Sequence, residues 1–431
     1  MSRLPRMWVA LAALAAGIAP IAAQAQSLDY GDVSGSGSGA DAGGEPSTHR
    51  GRGGGNRGGR GGNFVSAYIE AQQVVTAELS PGDDVVTYTQ LAAGIDATVA
   101  GRYNAGSASL RYERRIGYGN DRRSGDTISG IARGYASVVP GAIQIDAGVL
   151  AARTRVEGNG ASVIGPLGDS DDVSRVYSAY AGPSISTHAG DVKIDGHYHF
   201  GYTKVDSPDA VSLVPGQQPL DVFDESKVHN AELHFGTKPG NSLPIGIGAG
   251  AGYYREEISN LDQRVEDFHA RGDITIPLSR DFALVGGVGY EDVKISSRDV
   301  LRDAGGLPVV SGGRFVTDKS GPRQIAYEAN GLIWDAGVLW RPSRRTQFEA
   351  HVGRRYGTTS YYGSFAYAPS DRSAFNIAVY DNIAGFGGQL NRALAGLPAQ
   401  FSAIRNPISG ELRGCVATTE QGSCLSGALG S

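Results

Sequence analysis

The stretch from Tyr327 to Asn382 decides the fold, and it reads YEANGLIWDAGVLWRPSRRTQFEAHVGRRYGTTSYYGSFAYAPSDRSAFNIAVYDN. Segments of roughly ten residues alternate in polarity here, and RPSRR, GTTS and APSDR separate them. In the second segment, Phe348 and Val352 fall on one parity, whereas Glu349 falls on the other. Because successive side chains of a β-strand point to opposite faces, this pattern predicts one apolar and one charged face. Transmembrane barrel strands have this pattern at this length, but a soluble sandwich also alternates, so the rest of the chain must decide.

The amino terminus predicts export. Arg3 and Arg6 precede an apolar run at 8–21, and Ala23-Gln24-Ala25 is a small-residue cleavage site. These features predict a signal peptide over residues 1–25. No later segment has the ~20 continuous apolar residues of a membrane helix. We therefore expect an exported protein without helical membrane spans.

Composition limits the partners. Residues 26–62 are rich in Gly, Ser and Arg and are predicted to form a disordered periplasmic tail, because they cannot bury a core. The net charge of -5 is mild and indicates no nucleic-acid partner. Cys415 and Cys424, the two cysteines of the chain, are predicted to form one local disulfide in an exported protein.

From Phe64 onward the alternating segments follow one another almost without a break. We predict fifteen strands from the sequence, at 64–77, 85–99, 105–116, 126–139, 143–155, 174–186, 191–205, 227–236, 245–257, 264–276, 282–296, 327–340, 346–356, 360–368 and 373–382. The connections tend to alternate between short turns and long loops, and the long ones at 156–173, 206–226 and 297–326 all fall on one side. Short turns on one side and long loops on the other are typical of outer-membrane barrels. The predicted fold is therefore an all-β, transmembrane, antiparallel up-and-down barrel of about sixteen or more strands, with the strands inside residues 63–382.

The two faces of these strands receive different predicted roles. Trp334 and Trp340 share a parity and lie ~20 Å apart along one strand, which suggests two positions in the aromatic girdles of a membrane barrel. The charged parity predicts residues that line the lumen, either around a channel or in internal salt-bridge ladders. These lumen-lining candidates are Arg111, Glu113, Arg115, Lys193, Asp195, His197, His199, Arg271, Asp273, Glu349 and Arg355.

No group of residues has the spacing of a catalytic or cofactor site. His197 and His199 share one face of a strand, but without a third ligand they are better interpreted as lumen residues than as a metal site. The run Gly286-Gly287-Val288-Gly289 has no Lys and no following helix, so it is not a nucleotide loop. We expect no catalytic residue, no metal and no cofactor, although a lipase- or protease-type site at the barrel rim stays open as an alternative.

Several motifs resemble one known family. GLIWDAGVLWRPSRRTQFEAHVGRRYG at 331–357 and SYYGSFAYAPSDRSAFNIAVYD at 360–381 resemble outer-membrane β-barrel proteins associated with PEP-CTERM and exopolysaccharide systems, in the variant of sphingomonad-type α-proteobacteria. ASLRYERRIGYG, SGIARGYASVVPG, VYSAYAGPS, FGYTKV and LVGGVGYEDVKISSRDVLRD are similar to the same group, so the resemblance spans most of residues 64–424. Members are sometimes labelled preprotein translocase subunit YajC, a single-helix membrane protein that this chain does not resemble. The resemblance implies a Gram-negative outer-membrane barrel near surface polysaccharide, without catalytic residues or cofactors.

The carboxy-terminal part departs from the expected closure. Bacterial single-chain barrels close with an even number of strands, whereas residues 383–431 read as a loop that carries Cys415 and Cys424. We expect either a truncated reading frame, which we favour, or closing strands that the pattern does not reveal. The predicted function is a porin-like pore or surface-assembly component linked to exopolysaccharide export, with outer-membrane lipid and polysaccharide or its export machinery as partners. A general diffusion porin and a barrel enzyme at the rim are the alternatives.

Overall fold

A computed structural model describes residues 63–77, 85–118, 125–156, 162–163, 173–206, 225–311, 313–370, 373–405, 410, 412–417 and 422–424. The predicted signal peptide at 1–25 and the predicted tail at 26–62 lie outside these residues. The main feature is one antiparallel sheet in which each strand pairs with its neighbours in the chain. Its fifteen long strands, called the wall below, are β1 Phe64–Ala77, β2 Val85–Ala100, β3 Asn104–Gly117, β4 Gly125–Val139, β5 Ile143–Val156, β6 Val173–Ala189, β7 Val192–Asp206, β8 Glu225–Thr237, β9 Gly246–Ile258, β10 Gln263–Pro277, β11 Phe282–Ser297, β12 Gln324–Ser343, β13 Thr346–Arg355, β14 Thr358–Ser370 and β15 Ser373–Val379.

The up-and-down order confirms the predicted all-β barrel fold, and the strand bounds agree with the predicted segments to within a few residues. Register follows the alternation, so that Trp340 of β12 faces Phe282 of β11 on one side and Phe348 of β13 on the other. The described wall has fifteen long strands rather than the expected sixteen or more. Because this number is odd and neighbours are antiparallel, β1 and β15 run in the same direction. No pairing between these two strands occurs in the part of the chain that the structure describes.

The polarity of the wall is that of a membrane barrel. Large apolar side chains on the outer face are exposed, including Ile128 at 59%, Val288 at 56% and Leu332 at 65%. Polar and charged side chains are buried on the opposite, inner face, as are Glu113 and Glu291 at 2%. A water-soluble sheet buries its apolar face, whereas a wall in lipid exposes it and satisfies its backbone through the strand ladder. The chain therefore forms a membrane-spanning β-barrel wall.

The wall has a loop end and a turn end. The turn end carries the short connections 140–142, 190–191, 278–281 and 344–345, and the loop end, where β5, β7 and β11 end, carries the third long loop, described at 298–311 and 313–323. The third loop contains a small hairpin of Val310–Ser311 with Arg314–Phe315. Since β15 runs toward the loop end, the chain leaves the wall there.

The prediction of a loop at 383–431 is wrong. The structure places helix α1 at Phe386–Ala395, followed by a small antiparallel sheet of β16 Ser402–Arg405, β17 Leu412–Ala417 and β18 Gly422–Cys424. The helix ends where Gly396 serves as its C-cap, and its ten residues are too few to cross a membrane. In the small sheet the backbone of Cys415 faces that of Cys424, a pairing that suits the predicted disulfide.

Candidate functional site: the lumen and its plug

The segment after β15 lies inside the barrel, and we call the described residues from 380 to 424 the plug. Its apolar residues Leu390, Leu394 and Leu397 are 0–2% exposed. They form one core with an apolar patch on the inner face of β4, β5 and β6. We call this patch the inner apolar patch, and its members are Ile131, Leu150, Ala152, Val176 and Tyr180. A helix with one apolar face is stable only when that face is covered, and here the wall covers it.

A wall carboxylate caps the amino terminus of α1. The N-cap residue is Gly385, which has no side chain to cap the helix. Glu256 of β9, fully buried, instead accepts hydrogen bonds from the backbone N–H of Gly385 at 2.7 Å and of Gly388 at 3.1 Å. Its remaining acceptor capacity is used by Ser226 Oγ at 2.8 Å and Tyr254 Oη at 2.5 Å. A carboxylate at a helix amino terminus is favoured by the helix dipole and satisfies N–H groups that have no partner within the helix.

The contact surface between the amino terminus of α1 and the wall, which we call the seat of the helix, requires small residues. A Cβ atom added at Gly388 would lie 1.7 Å from Tyr254 Oη, and one added at Gly387 would lie 2.3 Å from Ser226 Oγ. Glycine is therefore needed for the helix to approach the wall this closely. Arg392 lies above the Tyr254 ring at 4.4 Å, so a cation–π contact closes the seat one turn further along.

Two more anchors fix the rest of the plug. Asn391 is buried and donates to Thr203 Oγ1 at 3.2 Å, while Ser178 Oγ donates to Asn391 Oδ1 at 3.3 Å. Arg405 of β16 donates to Ser129 Oγ at 2.9 Å and to Ser109 Oγ at 3.2 Å. Burial lowers the pKa of Arg405 below its ordinary value. These contacts attach the plug to β3, β4, β6 and β7.

The structure places all eleven predicted lumen-lining residues on the inner parity of the wall. Many of them contact an oppositely charged side chain or form an acid–histidine pair in the described part of the wall. Arg111 pairs with Glu70 at 2.5 Å and with Glu113 at 2.8 Å, and Arg115 lies 3.6 Å from Glu113. The other pairs are Lys193 with Asp195, His199 with Asp146, Asp273 with His234, Glu349 with His351, and Arg355 with Asp267 and Glu291.

A second charge network lies on β10, β12, β13 and β14. Arg271 Nη2 lies 2.6 Å from Asp335 Oδ1, and His351 Nδ1 lies 3.1 Å from Asp335 Oδ2. Tyr362 donates to the same Asp335 oxygen at 3.1 Å and stacks on the His351 ring at 4.4 Å between centroids. Because its charges are mutually paired, this surface can be hydrated without strong selection for one sign of ion.

Two neighbouring recesses lie between this network and the plug. One contains about 440 Å³ of free space, part of it open to solvent, and the other about 310 Å³. They share His269 and Arg355, and the plug contributes Asp381 to the first and Arg392 to the second. The plug therefore leaves small recesses between itself and the wall.

His197 and His199 lie side by side with their ring centroids 4.8 Å apart. Asp146 accepts from Ser184 Oγ at 2.9 Å and contacts His199 Nε2 at 3.1 Å. A hydrolytic triad needs the serine hydroxyl bonded to the histidine, whereas here the serine and the histidine both bond to the carboxylate. No cluster of three metal-ligating side chains occurs in the described part of the chain.

Sequence reasoning missed the plug and its seat. Phe386, Leu390, Leu394 and Leu397 recur at helical spacing and are followed by Pro398, which is a helix signal in a Gly-rich context. The wall carries a second signal at Val149 to Ala152, where apolar residues occupy both parities. An apolar inner face in a barrel strand indicates that something covers it inside the lumen. Glu256 had no sequence signal that distinguishes it from the other charged strand residues.

No family model and no curated protein matches the chain. Among solved structures it is similar to the ferric-catecholate import receptor Fiu from E. coli K12 in its open form, with 12% identity, a TM-score of 0.40, and coverage of 73% of this chain and 58% of that chain. The siderophore receptor PiuA from Acinetobacter baumannii gives 8% identity, a TM-score of 0.36, and coverage of 71% and 54%. OmpT, an outer membrane protein of Vibrio cholerae, gives 10% identity, a TM-score of 0.27, and coverage of 74% and 95%. The chain spans just over half the length of the two receptors.

The assignment to the outer membrane rests on the wall of this chain. Closed barrels expose an apolar band to lipid and keep polar residues inside, and this is the architecture of outer-membrane proteins. The exposed outer face and the charged interior described above match it. The protein is an integral outer-membrane β-barrel.

Proposed function

We propose that the protein is a pore of the outer membrane whose solute path follows the inner face of β10 to β14. The observation that supports this most is the recess between Asp381 of the plug and the wall residues Arg271 and Asp335. Charged side chains and tyrosines are among the residues that line both recesses, so a hydrated solute that passes there would meet polar partners. Both recesses touch Arg355, so the proposed path runs past this residue beside the plug.

The pore is tested with the full-length protein in planar lipid bilayers. Arg355 contacts both recesses, so Arg355→Gln is expected to shift the reversal potential toward cation selectivity. Lys294→Gln is the matched control, because Lys294 pairs with Glu328 on the outer parity and lies away from the path. Currents that are absent at every voltage, in the wild type and in both variants, would refute the pore.

The finer part of the proposal is a role beside exopolysaccharide export, and it rests on the family resemblance of residues 64–424. A strain that lacks the gene is expected to lose surface polysaccharide and to recover it with the wild-type gene. If polysaccharide is unchanged while conductance persists, the protein is a general diffusion porin. A barrel hydrolase at the rim is the other alternative, and lipase and protease assays of His197→Ala and His199→Ala measure it directly.

A further inference from the structure

We propose that the plug is a removable gate that narrows the pore, and that Glu256 is the latch that holds the plug docked in the lumen. The proposal rests on the pore proposed above and adds how that pore is regulated. It gives Glu256, a buried residue of the wall, the role of holding the plug docked, which neither the fold nor the ion-pair network requires.

The plug is attached so that it can leave without disturbing the wall. In the described part of the chain, β16 pairs with β17 and the wall strands pair with each other, so no main-chain ladder joins plug to wall. Among the described residues, the hydrogen bonds between them at Glu256, Asn391, Arg405 and Ser107 each use at least one side chain, and Ser107 Oγ accepts from the Phe401 N–H at 3.0 Å. Undocking therefore breaks side-chain contacts and leaves the strand register intact.

The latch couples docking to helix formation. A ten-residue helix is marginal alone, and Gly387 and Gly388 in its first turn lower its stability further. Glu256 supplies the cap that the helix lacks, and the wall covers Leu390 and Leu394. A helix that depends on the wall for both its cap and its apolar contacts is expected to fold and dock in one step and to unfold when it leaves.

The groups around the latch make it specific for a carboxylate. Four donors converge on Glu256, namely the N–H groups of Gly385 and Gly388 and the hydroxyls of Ser226 and Tyr254. In Glu256→Gln one carboxylate oxygen is replaced by an NH2 group of the same size, which is itself a donor and cannot accept these hydrogen bonds. Loss of hydrogen bonds to a charged group shifts such an equilibrium by about tenfold or more.

The test measures seating and conductance separately. A Cβ at Gly201 would lie 2.6 Å from Asn391 Cγ, which puts the two Cβ atoms within about 4 Å of each other, as in disulfides. We therefore use Gly201→Cys with Asn391→Cys, in a chain whose Cys415 and Cys424 are replaced by Ser. The rate of disulfide formation reports the docked fraction, and current in planar bilayers reports the pore.

Glu256→Gln is compared with Glu257→Gln, its neighbour on the outer parity, which pairs with Arg264 at 3.1 Å. We expect Glu256→Gln to lower the crosslinking rate and to raise the current by about tenfold. Oxidation of the introduced disulfide should restore the low current, and its reduction should raise the current again. Gly388→Ala, which would collide with Tyr254 Oη, is expected to act in the same direction through shape instead of charge.

Equal crosslinking rates and currents in the wild type, Glu256→Gln and Gly388→Ala, in correctly folded protein, would overturn the gate. A lowered crosslinking rate with no current in any variant would refute the pore while the latch assignment stands. A raised current that oxidation of the crosslink does not suppress would also overturn the gate, because the plug would then be irrelevant to it.

Discussion

Replacing Leu394 by alanine tests whether the plug is a separate cooperative unit. Leu394 is fully buried between α1 and the inner apolar patch, so the change leaves a cavity at the centre of their shared core. Buried leucine-to-alanine changes cost about 2–5 kcal/mol. Because the plug has no backbone ladder to the wall, it can shift to fill part of the cavity, and we expect about 3 kcal/mol. That corresponds to a ~100-fold lower docking equilibrium constant.

Hydrogen–deuterium exchange of the full-length protein, followed by mass spectrometry, measures this effect. Amides of 386–397 should exchange ~100-fold faster in Leu394→Ala, while those of β10 should be unchanged. Gln389→Ala is the control, because Gln389 lies in the same helix with its side chain exposed, and its effect should be within about 0.5 kcal/mol. Equal acceleration in β10 and in the plug would mean that they unfold together, and no acceleration would mean that Leu394 does not hold the plug.

Three further predictions concern the wall and its loops. Asp335→Asn leaves the buried Arg271 without its carboxylate partner at 2.6 Å, and urea unfolding in lipid vesicles should show a loss of about 3 kcal/mol; unchanged stability would contradict the importance of the network. Val288→Arg places a charge on the lipid face and should reduce the folding free energy into vesicles by about 2–4 kcal/mol, whereas a neutral result would mean that this face is not in lipid. The Ser320 hydroxyl and N–H lower the pKa of Asp318 in the loop at 298–323. Its folded pKa lies below the unfolded one, so its contribution is present above about pH 4 and is lost as pH falls below that value; the protection of the Ser320 amide, which is its exchange relative to the intrinsic rate at the same pH, should fall there, and a pH-independent protection would exclude this role.

The wall could be predicted from the sequence because its signal is local. Each strand alternates by itself, as Phe348, Glu349 and Val352 do, and each turn is marked by its own residues. Parity then assigns residues such as Arg111 and Arg355 to the inner face without any knowledge of their partners. Antiparallel neighbours and loop asymmetry complete the topology.

The plug could not be predicted in the same way because its stability comes from distant contacts. Leu394 packs on residues more than 200 positions earlier in the chain, and the cap of α1 comes from Glu256 in β9. Helix propensity does not predict α1, because Gly387 and Gly388 in its first turn disfavour a helix. These glycines are explained only by the close approach of the helix to the wall. Residue type alone does not separate Glu256 from Glu257, although one caps the plug and the other faces outward.

The most direct test of the membrane barrel compares spin labels at Val352 and Glu349 of β13 in lipid vesicles, with the native cysteines replaced by Ser. Val352 is exposed on the outer face, and Glu349 lies on the inner face beside His351. Collision with oxygen, which concentrates in lipid, should be high at Val352, and collision with a water-soluble nickel complex should be higher at Glu349 than at Val352. A label at Val352 that meets the nickel complex more readily than oxygen would place this strand in water and contradict the membrane barrel.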